Sequence, residues 1–365
     1  MIYLDHAATT PICEAAKKAI IEHLDDFGNP SSAHEVGHKA KLLIEDARER
    51  IAKCINASPN EIYFTSGGSE ANTWALHDKN CLISNIEHHS VHGTEWFNAA
   101  NGILSGIIDK YTFEELITDS HYFNPYQNWV SCMYVNNEIG SIQDIRDLAR
   151  ISHAHNKYFH TDAVQAMSCI QVDVKELDID MLSASGHKFG APKGVGFLYV
   201  KNGIEVPSLI YGGKQEQGKR GGTENVLGII AMAVALEDTI ANMQNRHKHI
   251  VEMRNVLLHC LLNIEGIYLN GPLANRVASN INVRINGVQG QDVVAMANEH
   301  GICISAGSAC NEGVARPSHV LKAIGLTDEE ALSSIRITLG HQNTFEEIEY
   351  VCEIMPKIIA QLCSI

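Results

Sequence analysis

A chain of 365 residues exceeds the usual single-domain length and can bury a large core, so two domains are the expectation. Hydrophobic residues at 45% and charged residues at 19% exclude a disordered chain, and a formal net charge of -15 argues against non-specific attraction to nucleic acid or an anionic membrane. The ten cysteines are scattered without a Cys-x-x-Cys pair, which fits free thiols in a reducing cytoplasm better than a disulfide framework or a structural zinc site.

From the N-terminus, Met1–His6 lacks a basic segment followed by an apolar stretch, so no secretory signal is expected. No later run is read as approaching the ~20 apolar residues that span a bilayer. Ser32-Ala33-His34-Glu35 reads as a capping box, opening a helix with apolar residues at Ala40, Leu43, Ile44, Ala47 and Ile51. Buried strands are predicted at Glu61–Thr65, Leu82–Ile86, Val130–Val135, Tyr158–Thr161, Met181–Ala184 and Gly194–Val200. Most end in glycine or a polar cluster. Alternation with helical patterns implies an α/β fold with a mostly parallel sheet, and in such sheets ligands bind beyond the carboxyl ends of the strands. After about Met243 the pattern changes to a long helix, a strand at Ile281–Ile285 and further helices, ending with a helix over Phe345–Leu362. This is read as a smaller α+β C-terminal domain. No internal repeat or low-complexity segment is found.

Chemistry concentrates at the predicted strand ends. Lys188 follows an apolar strand in Ser185-Gly186-His187-Lys188, where desolvation lowers an amine's pKa and makes it nucleophilic; the alternative is a surface lysine in a turn. Asp162 ends another strand and suits either a protonated pyridine nitrogen or a helix N-cap. Ser66-Gly67-Gly68-Ser69 reads as a glycine turn into a helix, an anion cradle if the backbone N–H groups are free. His88 follows a further strand and is either a ring-stacking proton shuttle or structural. Cys310 sits in a run of small residues read as a mobile loop, and is either a thiolate nucleophile or a thiol with no role. Arg336 has inward spacing on a strand-like run and offers either a carboxylate site or an ordinary ion pair.

Three other chemistries are set aside. Ser185–Lys188 matches Ser-x-x-Lys, but the Ser-Asp-Asn and Lys-Thr-Gly strings of penicillin-binding hydrolases are missing. His153, His155 and His160 are read as solvated rather than metal-binding, since a spacing of two on a helix separates the first pair. Gly212–Gly222 lacks P-loop spacing.

Taken together, these segments resemble the cysteine desulfurases of the NifS/IscS type, fold-type-I pyridoxal-phosphate (PLP) enzymes of the class-V aminotransferase superfamily. The resemblance runs from Tyr3–Pro11 to Ser334–Gly340, through Phe27–Ser32, Val135–Gly140, Ser185–Lys188, Arg220–Thr223, Gly307–Cys310 and Pro317–Leu321. It implies a large PLP-binding domain over residues 13–243, and a small domain from residues 1–12 and 244–365 that carries the catalytic cysteine loop. Lys188 resembles the cofactor-bearing lysine and general base, Asp162 the partner of the pyridine nitrogen, Gln165 the group facing the phenolic oxygen, and His88 the stacking histidine. Gly68, Ser69, Ser185 and His187 resemble phosphate ligands, and Thr223 the phosphate ligand lent by the other subunit of a homodimer. Asn137 and Arg336 resemble the substrate-carboxylate site, and Cys310 the persulfide-bearing cysteine. The implied partners are L-cysteine and a sulfur-acceptor protein, either an iron–sulfur scaffold or a tRNA-thiolation enzyme, with no metal and no direct nucleic-acid or membrane partner. Selenocysteine lyase or another class-V aminotransferase is the alternative within PLP chemistry, and a partner-dependent sulfur-relay hub the alternative outside it. By the same resemblance, the segments near His77–Asn80 and Ser105–Asn128 look short, and His341 stands where an arginine usually follows Leu-Gly.

Overall fold

The computed structural model describes residues 1–92, 98–99, 107–118, 128–311 and 314–363. Part of the short-segment expectation at Ser105–Asn128, residues 105–106 and 119–127, lies outside the described residues. The chain opens with β1 (Ile2–Tyr3), then builds a large sheet from β2 (Ile62–Thr65), β3 (Cys81–Ile83), β4 (Asn98–Ala99), β5 (Trp129–Ser131), β6 (Tyr158–Asp162), β7 (Met181–Ser185) and β8 (Gly196–Val200). Its order is β2-β8-β7-β6-β5-β3-β4; β3 to β7 pair in parallel, and β8 runs antiparallel to both neighbours. Strands β5, β7 and β8 are buried along their whole length, as strands covered on both faces must be.

Helices supply the covers. One face packs Phe64, Leu182 and Phe197 against Ile44 and Ile51 of α2 (Glu35–Cys54), with α1 (Glu14–Glu22) alongside. The other packs Ile83, Leu198 and Val200 against Trp74 and Leu76 of α3 (Gly68–Leu76). Shorter helices α4 (His89–His92), α5 (Lys110–Thr118) and α6 (Ile145–Ala154) connect the strands.

Helix α7 (Val226–Leu262) belongs to two cores: Ile229, Met232 and Leu236 join the large sheet's cluster, while Met253, Leu257 and Leu261 join a second one. This helix is long and apolar enough to cross a membrane by length and composition, contrary to the sequence expectation. Half of its apolar window is buried inside the protein, so core packing accounts for its character.

The second core lies under a four-stranded antiparallel sheet of order β12-β15-β10-β9, from β9 (Ile267–Leu269), β10 (Asn280–Ile285), β12 (Ser305–Ala306) and β15 (Ser334–Thr338). Between them β11 (Ile302–Cys303) pairs in parallel with β1, and β13 (Ser308–Asn311) and β14 (Val314–Pro317) form a separate hairpin. Around this sheet lie α8 (Gly290–Glu299), α9 (His319–Ala323), α10 (Asp328–Leu332) and α11 (Phe345–Cys363).

Three sequence expectations are corrected. Helix α2 starts at Glu35 with His34 as its cap, the His34 ring accepting from the Gly37 N–H at 3.2 Å, so Ser32 is not the capping residue. The predicted loop at Cys310 is the β13 strand of the hairpin, with Cys310 opposite Ala315. His160 is fully buried on β6 between the hydroxyls of Ser131 and Ser183, at 2.8 and 3.0 Å, and burial lowers its imidazole to about 3; it is not solvated.

Candidate active site

Strands β6 and β7 run in parallel, so Asp162 and Ser185, their last residues, stand on one rim of the sheet. The chain leaves β7 through a single turn, Gly186–Lys188, which brings Lys188 back over that rim. Helix α3 starts on the same rim at Gly68. A Cβ at this position would lie 2.6 Å from Val164, so only glycine lets the helix approach so closely. Ten of the sequence-predicted residues line one cavity of about 300 Å³: Gly68, Ser69, His88, Asn137, Asp162, Gln165, Ser185, His187, Lys188 and Arg336.

At its base, Asp162 Oδ1 accepts the Val164 N–H at 2.9 Å and Oδ2 accepts Asn72 Nδ2 at 2.7 Å. Burial pushes this carboxyl upward, opposed by those two hydrogen bonds and by the facing His88 and Lys188. Asn72 Nδ2 also donates to Ser90 Oγ at 2.9 Å, and Ser90 Oγ lies 2.7 Å from His88 Nδ1. Burial lowers the His88 imidazole, with Asp162 acting against it.

The Lys188 amine donates to the carbonyls of Ala7 and Ala8 at 2.6 and 2.9 Å, and Gln165 Nε2 donates to Ala7 O at 2.9 Å. Burial, reinforced by the Arg336 cation, brings the amine down to about 8, where a substantial fraction is unprotonated and nucleophilic near neutrality. Arg336 Nη1 donates to Asn137 O at 3.1 Å, while Nη2 donates to Asp5 Oδ1 at 2.8 Å and Ser305 Oγ at 3.2 Å. Its Nε is buried without a partner among the described residues.

At the opposite end, no side chain caps α3, so its N-terminus is open to an anion beside Ser69, Ser185 and His187. Glu70, in the first turn, accepts the Ser66 N–H and receives Arg220 Nε and Nη2 at 2.9 and 3.1 Å, which keeps its charge off that cradle. The donor set therefore fits PLP, with a buried acid for the ring nitrogen, a desolvated amine for the aldehyde and an uncapped helix start for the phosphate.

Thr223 is exposed and does not line this cavity. For Cys310 the backbone is placed in β13, while its side chain, like Glu312 and Gly313, lies outside the described residues. His341 lines a second cavity of about 100 Å³ that shares Lys188 as a wall, and burial with nearby Arg246 lowers its imidazole to about 4. Sequence reading missed Asn72, Ser90 and Asp5 as parts of the site. Asn72 had a signal, since four residues from Gly68 on a helix is the same face. Asp5 and Ser90 reach their partners only through the fold.

The class-V aminotransferase profile matches residues 2–351. The cysteine desulfurase IscS of Methanosarcina thermophila is 38% identical over 376 residues, covering 99% of this chain and 92% of that protein. A NifS-like protein from Rickettsia africae superposes with a TM-score of 0.90 at 33% identity, covering 98% of this chain and 99% of that one. SspA, solved in complex with cysteine, gives 0.80 at 34% identity over 94% of this chain and all of its own. With a cavity suited to that chemistry and a match over nearly its whole length, the chain belongs to the class-V aminotransferase family.

Proposed function

We propose that the chain is a cytoplasmic, homodimeric, PLP-dependent cysteine desulfurase: L-cysteine and the Cys310 thiol become L-alanine and a Cys310 persulfide, which passes to an acceptor protein. The observation that carries the reading is Arg336, whose buried Nε has no partner among the described residues, in a cavity shared with a desolvated amine and a buried aspartate. A substrate carboxylate supplies the missing acceptor, with Asn137 beside it. The IscS relatives and the cysteine complex of SspA support the choice of cysteine.

When bound, PLP supplies an electron sink at the substrate's Cα. The protein's residues do the rest. Asp162 would hold the proton on the ring nitrogen, Gln165 would serve the phenolic oxygen, and Gly68, Ser69, Ser185 and His187 would hold the phosphate, joined by Thr223 of a second subunit. Lys188 would hold the cofactor through Nζ, and the same amine would take the Cα proton as general base. His88 covers the ring. The Cys310 thiolate attacks the substrate sulfur, forming S–S as C–S breaks, and the carbon fragment leaves as alanine. The division into a large unit over 13–243 and a small unit from 1–12 and 244–365 belongs to this reading. Two separate apolar clusters support it, although its boundary falls inside continuous α7.

The test is turnover of the purified holoenzyme with L-cysteine and a small-thiol reductant, for wild type and Cys310→Ala. Alanine and sulfide in equal amounts, abolished in the variant, are expected. Sulfide release lost but selenide release from selenocysteine retained would favour a selenocysteine lyase. No turnover until a protein acceptor is added would favour the relay hub.

A further inference from the structure

Four side chains join the base of the cavity to its far wall. Asp162 and Asn72 are buried, at 3% and 1% exposure, so the orientation of the amide is set by chemistry: an ionised carboxylate only accepts, and Nδ2 therefore faces Asp162 Oδ2 at 2.7 Å. The second hydrogen of the same Nδ2 goes to Ser90 Oγ at 2.9 Å. The same hydroxyl lies 2.7 Å from His88 Nδ1, where it can donate or accept. The Ser90 peptide N–H, which can only donate, also points at Nδ1, at 3.1 Å. An Nδ1–H would set its hydrogen against that of the peptide, so the imidazole's proton resides on Nε2 and Nδ1 accepts from both groups.

We propose that Ser90 is a positioning residue for the reaction: held by Asn72 and Asp162, it fixes the plane of the His88 ring and its Nε2–H tautomer, so that the ring meets the reacting groups as a proton donor at Nε2. The residue that faces the cofactor's ring nitrogen thereby also orients the histidine across the cavity. A Ser90 that only stabilised the short helix α4 would leave turnover untouched. An imidazole free to exchange tautomers presents the wrong edge part of the time, and that loss falls on kcat rather than on binding.

Only the kinetic arm of the test rests on the desulfurase reading. The spectroscopic arm uses ¹⁵N-histidine-labelled protein without cofactor, with His88→Gln identifying the His88 signals in long-range ¹H–¹⁵N spectra. Wild type is expected to show Nε2–H with an unprotonated Nδ1; Ser90→Ala, which removes the hydroxyl anchor and lets the ring turn away from the peptide N–H, is expected to add an Nδ1–H population. Kinetically, Ser90→Ala lowers kcat for alanine formation about 10-fold with KM for cysteine within about twofold, and Ser90→Thr restores most of the rate. An Nδ1–H tautomer or an imidazolium in wild type at pH 8 overturns the proposal, as does a folded Ser90→Ala with wild-type kcat. Wild-type protein that forms no alanine counts against the desulfurase reading alone, since the tautomer is measured without turnover.

Discussion

Arg336 meets the cavity with its outer nitrogens engaged by Asn137, Asp5 and Ser305 and with Nε left over. An unmade buried hydrogen bond costs about 1–3 kcal/mol, and a carboxylate would recover that on binding. Lysine keeps the charge but lacks the planar fork, so Arg336→Lys is expected to raise KM for cysteine about 10–100-fold while kcat changes less, read from steady-state alanine formation. Glu87, fully buried next to His88, makes a different prediction. Burial holds its carboxyl up to about 8 against an ordinary 4.5, opposed by hydrogen bonds from Ser84 and the Met133 N–H. Across that window the unfolded chain has released a proton that the folded chain keeps, so stability falls as pH rises from about 4.5 to 8. Glu87→Gln removes the titration, and its Tm should vary less with pH over that interval than the wild-type Tm does.

Among the elements, the segment from Gly212 to Thr223 carries strain that the core compensates. Glu216 and Gln217 adopt left-handed φ angles of 45° and 58°, which cost non-glycine residues about 1–2 kcal/mol each. Glu216 is held by Arg48 Nη1 and Nη2, both at 2.8 Å, and by the Phe64 N–H at 2.8 Å. Removing one partner strands the other's charge in the core, so Glu216→Ala is expected to cost roughly 3–5 kcal/mol in denaturant unfolding. A far smaller loss would mean that Glu45, which already meets Arg48 Nε at 3.2 Å, suffices to hold its charge. Such long-range pairing is what sequence patterns cannot hold. The buried strands were legible because strands between two helical layers are mostly apolar, and the helical spacing of Ala40, Ile44, Ala47 and Ile51 was legible because one face of that helix meets the core. His34 took the cap that the pattern gave to Ser32, and His160 found two hydroxyls on neighbouring strands, both outcomes of tertiary contact. The site was legible where it sits at strand ends, through Asp162 and Lys188. It was illegible at Asn72, Ser90 and Asp5, whose partners are 90, 2 and 331 residues away, so that only the fold, or a turn too short to carry a motif, makes the contact.

At the scale of the whole molecule, the exposed Thr223 and its absence from this cavity's wall suit a residue that serves another copy. If each site is completed by its partner's Thr223, mixed dimers of Lys188→Ala with Thr223→Ala contain one intact site and should regain about half of the wild-type turnover per dimer, although each parent alone is impaired. Co-expression with two affinity tags followed by alanine assay checks this, and no gain over the parents would place Thr223 with its own site. In the proposed reaction, sulfur leaves cysteine and stops on Cys310. The most direct measurement adds L-cysteine to holoenzyme without reductant and follows alanine together with peptide masses. One sulfur gained on the peptide containing Cys310, matched by one alanine per site, is the predicted result. Alanine without sulfur on Cys310, or no alanine at all, would contradict the account.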